Sequence, residues 1–427
     1  MRVLIVHPDL GVGGAERLIL DIAIATKSNG HDVTILTNQY DQKHCFEDSK
    51  DLNIIVKFQW IPRQIFGLFH ALLAYFKLML ASLWLIYFSG LKFDIICIDQ
   101  ISLPVAIFKL NKFKIMFYCH YPDQLLCVYD KKYNILKRLY RVPLDWLEMK
   151  TTGMADVILV NSEFTSKMFR NTFPTLKNNK LHVLYPSLNT EAFDAFLNKF
   201  KDEETEIEIL NEIHSENINE LKKSNEKKYL FVSINRYERK KDLKLAINAI
   251  QSLKNKLTAD QWKQCHLVMA GGYDSRVNEN VAHYNELRDL SSSLNLDDKI
   301  SFMRSISDKQ KVNLLRKAFC LIYTPTNEHF GIVPIEAMYA SKPVIATNTG
   351  GPLETVANEV TGYLALPDSQ SFANAMLKLI ENTSIQQKFA HEARLRVINN
   401  FSFLAFKKNL GDIMKSLINI DKRKRSN

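Results

Sequence analysis

Two glutamates eight positions apart, Glu328 and Glu336, flank a turn in Thr326-Asn327-Glu328-His329-Phe330-Gly331-Ile332-Val333-Pro334-Ile335-Glu336. Gly331 permits a tight turn. Val333-Pro334 fits a helix opening, where proline gives up only an N–H that has no intrahelical partner. Glu336 then falls in the first turns of that helix while Glu328 precedes it. The two carboxylates need not share a helical face and can grip different parts of one ligand. Standing alone, the pair reads equally well as one capping and one solvated glutamate.

Two other sets suggest anion chemistry. Ser233-Ile234-Asn235-Arg236-Tyr237-Glu238-Arg239-Lys240-Lys241-Asp242 follows an apolar run and leads into a helix with Asp242 at its N-cap. Here the forked guanidinium of Arg236 and the point charge of Lys241 can neutralise a diphosphate. Near the N-terminus, His7-Pro8-Asp9-Leu10-Gly11-Val12-Gly13-Gly14-Ala15-Glu16-Arg17 precedes an apolar-periodic helix. Gly13 and Gly14 let backbone N–H groups approach an anion at a helix start. His120, in Cys119-His120-Tyr121-Pro122-Asp123, follows another apolar run, and Asn348-Thr349-Gly350-Gly351-Pro352-Leu353-Glu354 offers further backbone donors. By type alone each could be structural: a charge run is usually solvated and a lone histidine usually packed.

Position weighs against that bland reading. Short β-branched or apolar runs at 2–6, 32–36, 95–98, 114–118, 157–160 and 182–184 alternate with helical stretches, and the rhythm restarts at 229–234, 266–270, 300–302, 320–323 and 343–346. Alternation of this kind predicts parallel sheets in two doubly wound α/β domains, where ligands bind beyond the carboxyl ends of strands. Every candidate above follows a predicted strand. The expected division is 1–197, a polar linker or insertion at 198–228, a second domain at 229–400, and a C-terminal helix with a basic tail at 401–427.

The chain has 427 residues, 46% hydrophobic and 24% charged, with a formal charge of +10, so it can build two cores and favours polyanionic partners. No nucleic-acid module is present, and nucleic acid is not expected as a partner. The six cysteines include no C-x-x-C pair, which fits neither a zinc site nor a disulfide framework and points to a reducing compartment. Residues 65–91 are long and apolar enough to cross a bilayer, but Lys77 sits in the middle. An in-plane helix, a span and a buried core helix all remain open.

The three charged and glycine-rich motifs, in this order and spacing across nearly the whole chain, resemble the retaining glycosyltransferases of GT-B fold that carry an E-x7-E motif. HPDLGVGGAERL, FYCHYPD, SINRYERKKDL and TPTNEHFGIVPIEAMY resemble more narrowly the mannosyltransferases of the asparagine-linked glycosylation pathway. The resemblance implies two Rossmann-like domains facing a central cleft. It also implies GDP-mannose as donor and dolichol-diphosphate-linked mannosyl-chitobiose as acceptor, extended by an alpha-1,3 and then an alpha-1,6 mannose. The setting would be the cytosolic face of the endoplasmic reticulum membrane, in contact with membrane lipid and possible early-pathway transferases. By the same resemblance, Glu328 and His120 act at the donor sugar, Glu336 binds the nucleotide ribose, and Arg236, Lys241, Gly13 and Gly14 hold the diphosphate. His329 is a further candidate for substrate contact. No metal or other cofactor is expected, and D-x-D, by which other glycosyltransferases hold a divalent ion, does not occur. The rival readings are another GT-B glycosyltransferase or a sugar epimerase, and a silent membrane-associated scaffold.

Overall fold

A computed structural model describes residues 1–64, 69–126, 134–199 and 228–425. The expected linker at 198–228 falls, except at its ends, outside the described residues, as does the start of the 65–91 segment. The chain forms two compact units, Met1–Ser187 with Phe403–Asn427, and Leu188–Ser402.

In the first unit seven parallel strands, β1 (Arg2–His7), β2 (Asp32–Thr37), β3 (Asn53–Val56), β4 (Ile95–Asp99), β5 (Lys114–Cys119), β6 (Val157–Val160) and β7 (Leu181–Val183), lie in the order β3-β2-β1-β4-β5-β6-β7. Val3-Leu4-Ile5-Val6 and Ile95-Ile96-Cys97-Ile98 are fully buried. Such continuous apolar runs mark strands covered on both faces. One face packs against α1 (Gly14–Ser28) and the C-terminal helix Phe403–Arg425, through Leu18, Ile22, Phe406, Leu410 and Met414. The other packs against α2 (His70–Phe88), through Tyr75, Leu78, Ala81 and Leu85.

The second unit holds six parallel strands, β8 (Tyr229–Ile234), β9 (Cys265–Gly271), β10 (Ile300–Arg304), β11 (Cys320–Tyr323), β12 (Val344–Thr347) and β13 (Gly362–Ala365), ordered β10-β9-β8-β11-β12-β13. The strand order turns back between β1 and β4 in one sheet and between β8 and β11 in the other. Those are the switch points at whose carboxyl ends doubly wound sheets bind ligands.

The units do not follow the 1–197 and 229–400 division. The helix Thr190–Lys199 belongs to the second unit: Tyr339 donates to Asp194 at 2.6 Å, and the Leu188 N–H donates to Phe401 at 2.8 Å. The C-terminal helix belongs to the first, where it covers α1. The central part of segment 65–91 is α2. It is long and apolar enough to cross a membrane, but its inner face lies on the sheet and Lys77 is on that side, 5% exposed. Its outer face carries exposed Leu72, Phe76 and Tyr87, and Phe88 is exposed at its end.

Candidate functional site

The second unit gathers its chemistry beyond β8 and β11. Arg236 leaves β8 with an exposed guanidinium, paired to Glu238 at 2.9 Å. Lys241 ends the short turn Arg239–Lys241 and turns inward, its ammonium against the Glu328 carboxylate. Thr324, just past β11, donates its hydroxyl to the Lys241 carbonyl at 2.8 Å, tying the two strand exits together. Burial would raise the Glu328 carboxyl, but Lys241, with His329 and Lys240, outweighs it and holds the group below its ordinary range. Asp242 does occupy the N-cap of the helix Leu243–Lys254, but its backbone is left-handed (φ 48°) and its side chain makes no capping hydrogen bond. The expected cap is therefore absent.

Glu336 lies in the helix Ile332–Tyr339, 7% exposed. Lys311, from the helix Asp308–Lys317, donates to its Oε1 at 2.8 Å and reaches Asp308 at 3.0 Å. The other oxygen, Oε2, is buried and has no hydrogen-bond partner among the described residues. Burial raises the Glu336 carboxyl, and Lys311 only partly offsets it. Tyr323 ends β11 between the two carboxylates. Burial, then Glu328 and Glu336, push its hydroxyl well above the ordinary value, so it stays neutral.

The Gly350-Gly351 loop does something other than offer free donors. The Gly351 N–H is committed to the Glu328 carbonyl at 2.6 Å, and the Thr349 hydroxyl accepts from the Asn327 N–H at 3.1 Å. A Cβ on Gly350 (φ 67°) would lie 2.6 Å from the Glu328 carbonyl oxygen, and one on Gly351 would lie 2.3 Å from that of Phe330. The loop thus buttresses the backbone that carries Glu328 and His329.

In the first unit His120 follows β5 and is partly exposed. Its Nε2 lies 2.9 Å from Asp99 Oδ1 at the end of β4, and Asp99 Oδ2 lies 2.8 Å from His7 Nδ1 at the end of β1. Burial would raise the Asp99 carboxyl, but His120 and His7 hold it at about 2. The Asp99 charge thus fixes the His120 ring at the switch point of this sheet. Gly13 is the N-cap residue of α1, in extended conformation, and a Cβ there meets only the flexible Glu16 carboxylate. At Gly14 a Cβ meets nothing within 4 Å. Packing within the unit does not demand glycine there, so Gly14→Ala is expected to leave the melting temperature unchanged within about 2 °C, since a neutral surface change is within ~0.5 kcal/mol. If glycine serves close approach of a phosphate, the same variant raises the donor KM, read by steady-state kinetics.

The structure therefore brings Lys241, Glu328, His329 and Glu336 together in the second unit with Arg236 at the rim. It sets His120 just past β5 and Gly13 and Gly14 at the start of α1 in the first unit. Lys311, Tyr323, Asp99 and His7 were not among the sequence candidates. Three of them end a strand, a position already informative for His120. Lys311 carries no local signal, because its partner lies on another helix.

A model of Glycosyltransferase Family 4 matches residues 12–192, and one of Glycosyl transferases group 1 matches residues 214–396. Among solved structures, a glycosyltransferase from Rickettsia africae superposes with a TM-score of 0.70 at 20% identity, covering 98% of each chain. Sucrose-phosphate synthase from Thermosynechococcus elongatus superposes at 0.69 and 18%, covering 98% of this chain and 99% of that one. At such identities the likeness shows the fold, GT-B. The alpha-1,3/1,6-mannosyltransferase ALG2 of Mus musculus is 43% identical over 97% of this chain and 96% of its own. That of Dictyostelium discoideum is 44% identical over 98% of both. With that identity along nearly its whole length, and with the E-x7-E carboxylates each paired to a lysine, the chain belongs to the alpha-1,3/1,6-mannosyltransferase family of glycosyltransferases.

Proposed function

We propose that the enzyme takes mannose from GDP-mannose and places it on a dolichol-diphosphate-linked mannosyl-chitobiose, first in alpha-1,3 and then in alpha-1,6 linkage, at the cytosolic face of the endoplasmic reticulum membrane. The observation that carries the donor assignment is the Glu336 carboxylate: one oxygen is held by Lys311, and the other is buried with its hydrogen-bonding capacity unused among the described residues. A ribose presents two adjacent hydroxyls, and an ionised carboxylate accepts from both strongly. Arg236 and Lys241 then face the diphosphate. The leaving charge is met by fixed cations and backbone dipoles that need little reorganisation. No metal enters this scheme.

Retention follows if the acceptor hydroxyl attacks from the face that the leaving group departs. The bond from the mannose anomeric carbon to the GDP phosphate oxygen breaks, a bond to the acceptor oxygen forms, and the acceptor proton passes to the departing phosphate. Glu328, kept ionised by Lys241, holds the sugar hydroxyls during this exchange, and His120, whose ring Asp99 orients, is the first unit's candidate for a contact to the donor sugar. The test is incubation of the purified chain with radiolabelled GDP-mannose and a synthetic lipid-diphosphate mannosyl-chitobiose, with and without EDTA. Stepwise gain of two hexoses at a rate unchanged by EDTA is expected. Failure to transfer, with folded protein and intact vesicles, would overturn the acceptor assignment.

A further inference from the structure

At the carboxyl end of the first unit's sheet, beside β1 and β2, lies an open pocket of about 210 Å³. Asp9, Asn38, Gln39, Arg63, His70 and Lys77 line it. Arg63 is fixed at its rim: it pairs with Asp9 at 2.6 Å and donates to Gln39 at 2.9 Å, while its side chain is 61% exposed. Asn38 is anchored to the Lys57 and Lys77 carbonyls at 3.0 and 3.2 Å. Lys77 projects from α2 into the same space and has neither a hydrogen bond nor an ion pair among the described residues. Burial, then the neighbouring Arg63 charge, lowers the Lys77 ammonium, and Asp9 only partly offsets them, a balance that an anionic ligand in the pocket would relieve.

The helix that supplies this cation also supplies hydrocarbon. His70, Ala74 and Lys77, at i, i+4 and i+7, face the pocket, whereas Leu72 and Phe76 stand on the outer face, 42% and 45% exposed, with Tyr87 further along it. A cationic pocket that opens beside an apolar strip matches an amphiphile whose anionic group is joined to a chain. A free nucleotide or sugar would leave the strip unused. We propose that this pocket receives the diphosphate of the lipid-linked acceptor, with Lys77 and Arg63 as its cations, and that the outer face of α2 receives the first isoprene units. The inference rests on the acceptor reading above and adds the residues that recognise its lipid end.

The test has a binding arm and a kinetic arm, both on the full chain. With GDP saturating the donor site, farnesyl diphosphate is titrated against wild type, Lys77→Met and Arg63→Gln, alongside inorganic pyrophosphate and farnesol. Farnesyl diphosphate is expected to bind wild type at least tenfold more tightly than either fragment, and each variant at least tenfold more weakly than wild type. Lys77→Met removes a desolvated charge without leaving a buried partner, and Arg63→Gln lies at the exposed rim, so both are expected to fold. In the kinetic arm each variant raises the KM for the lipid-diphosphate acceptor tenfold or more while the KM for GDP-mannose stays within twofold. Pyrophosphate binding as well as farnesyl diphosphate, variants that bind like wild type, or a KM increase confined to GDP-mannose would each overturn the proposal. Isoprenyl diphosphate binding without any mannose transfer would instead fault the reading of the reaction.

Discussion

A Glu336→Ala variant is expected to melt lower and to bind GDP roughly 10- to 100-fold more weakly, the equivalent of about 1.5–3 kcal/mol for hydrogen bonds to a charged acceptor. The two losses have different origins. Removing one partner of a buried pair leaves the other uncompensated, which typically costs about 3–5 kcal/mol. Lys311 keeps Asp308 at 3.0 Å, so the lower end applies, and at roughly 2–4 °C per kcal/mol the melting temperature falls by about 6–12 °C. The double variant Glu336→Leu with Lys311→Met separates the effects. It replaces the pair by apolar groups and is expected to recover most of the melting temperature but none of the GDP affinity, as read by scanning calorimetry and titration calorimetry. Recovery of both would make the pair structural and remove Glu336 from the donor site.

The second large effect belongs to a residue with no functional group. Gly351→Ala places a methyl 2.3 Å from the Phe330 carbonyl oxygen and 2.5 Å from its Cα, and both atoms are backbone, so no side chain can swing aside. The contact is relieved only by moving the Asn327–Phe330 segment or the loop itself. Either movement strains the 2.6 Å hydrogen bond from the Gly351 N–H to the Glu328 carbonyl. A displacement of about 1 Å in a positioned group costs on the order of 100-fold in rate. The expected result is a kcat lower by about that factor, with the buried Glu336–Lys311 pair and GDP affinity changed far less. Equal loss of GDP affinity and kcat would show that the loop supports the whole donor site and not the Glu328 segment alone.

Most of the architecture was legible where strands are buried on both faces, since Val3 to Val6, Ile95 to Ile98 and Tyr229 to Val232 are unbroken apolar runs. β3 and β13 were not foreseen. The first is an edge strand, Asn-Ile-Ile-Val, only half-buried, and the second, Gly-Tyr-Leu-Ala, contains no β-branched residue. The segment 65–91 was legible as apolar but not as packed, because which face of a helix meets a sheet is decided by partners distant in the chain. The same reason hid Lys311 and Asp99: a local pattern announces a turn or a strand end, but not which helix will bring a counter-charge to it. Glu328, Glu336, Arg236 and Lys241 stood out because their motifs follow strands, and the ties from Lys241 to Glu328 and to Thr324 give that placement physical content.

The first unit is assembled from two separated stretches of chain, with the second unit inserted between Ser187 and Phe403. Phe406, Leu410, Ile413, Met414 and Leu417 complete the core face that α1 begins. On the ribosome, the N-terminal sheet therefore emerges early but lacks part of its hydrophobic cover until synthesis has passed the whole second unit. The unit encoded in the middle can finish first, and the one that starts the chain finishes last. Domains ordinarily fold in the order they emerge, and at ~5–20 residues per second the first unit stays incomplete for some 10–40 s while about 215 further residues are made.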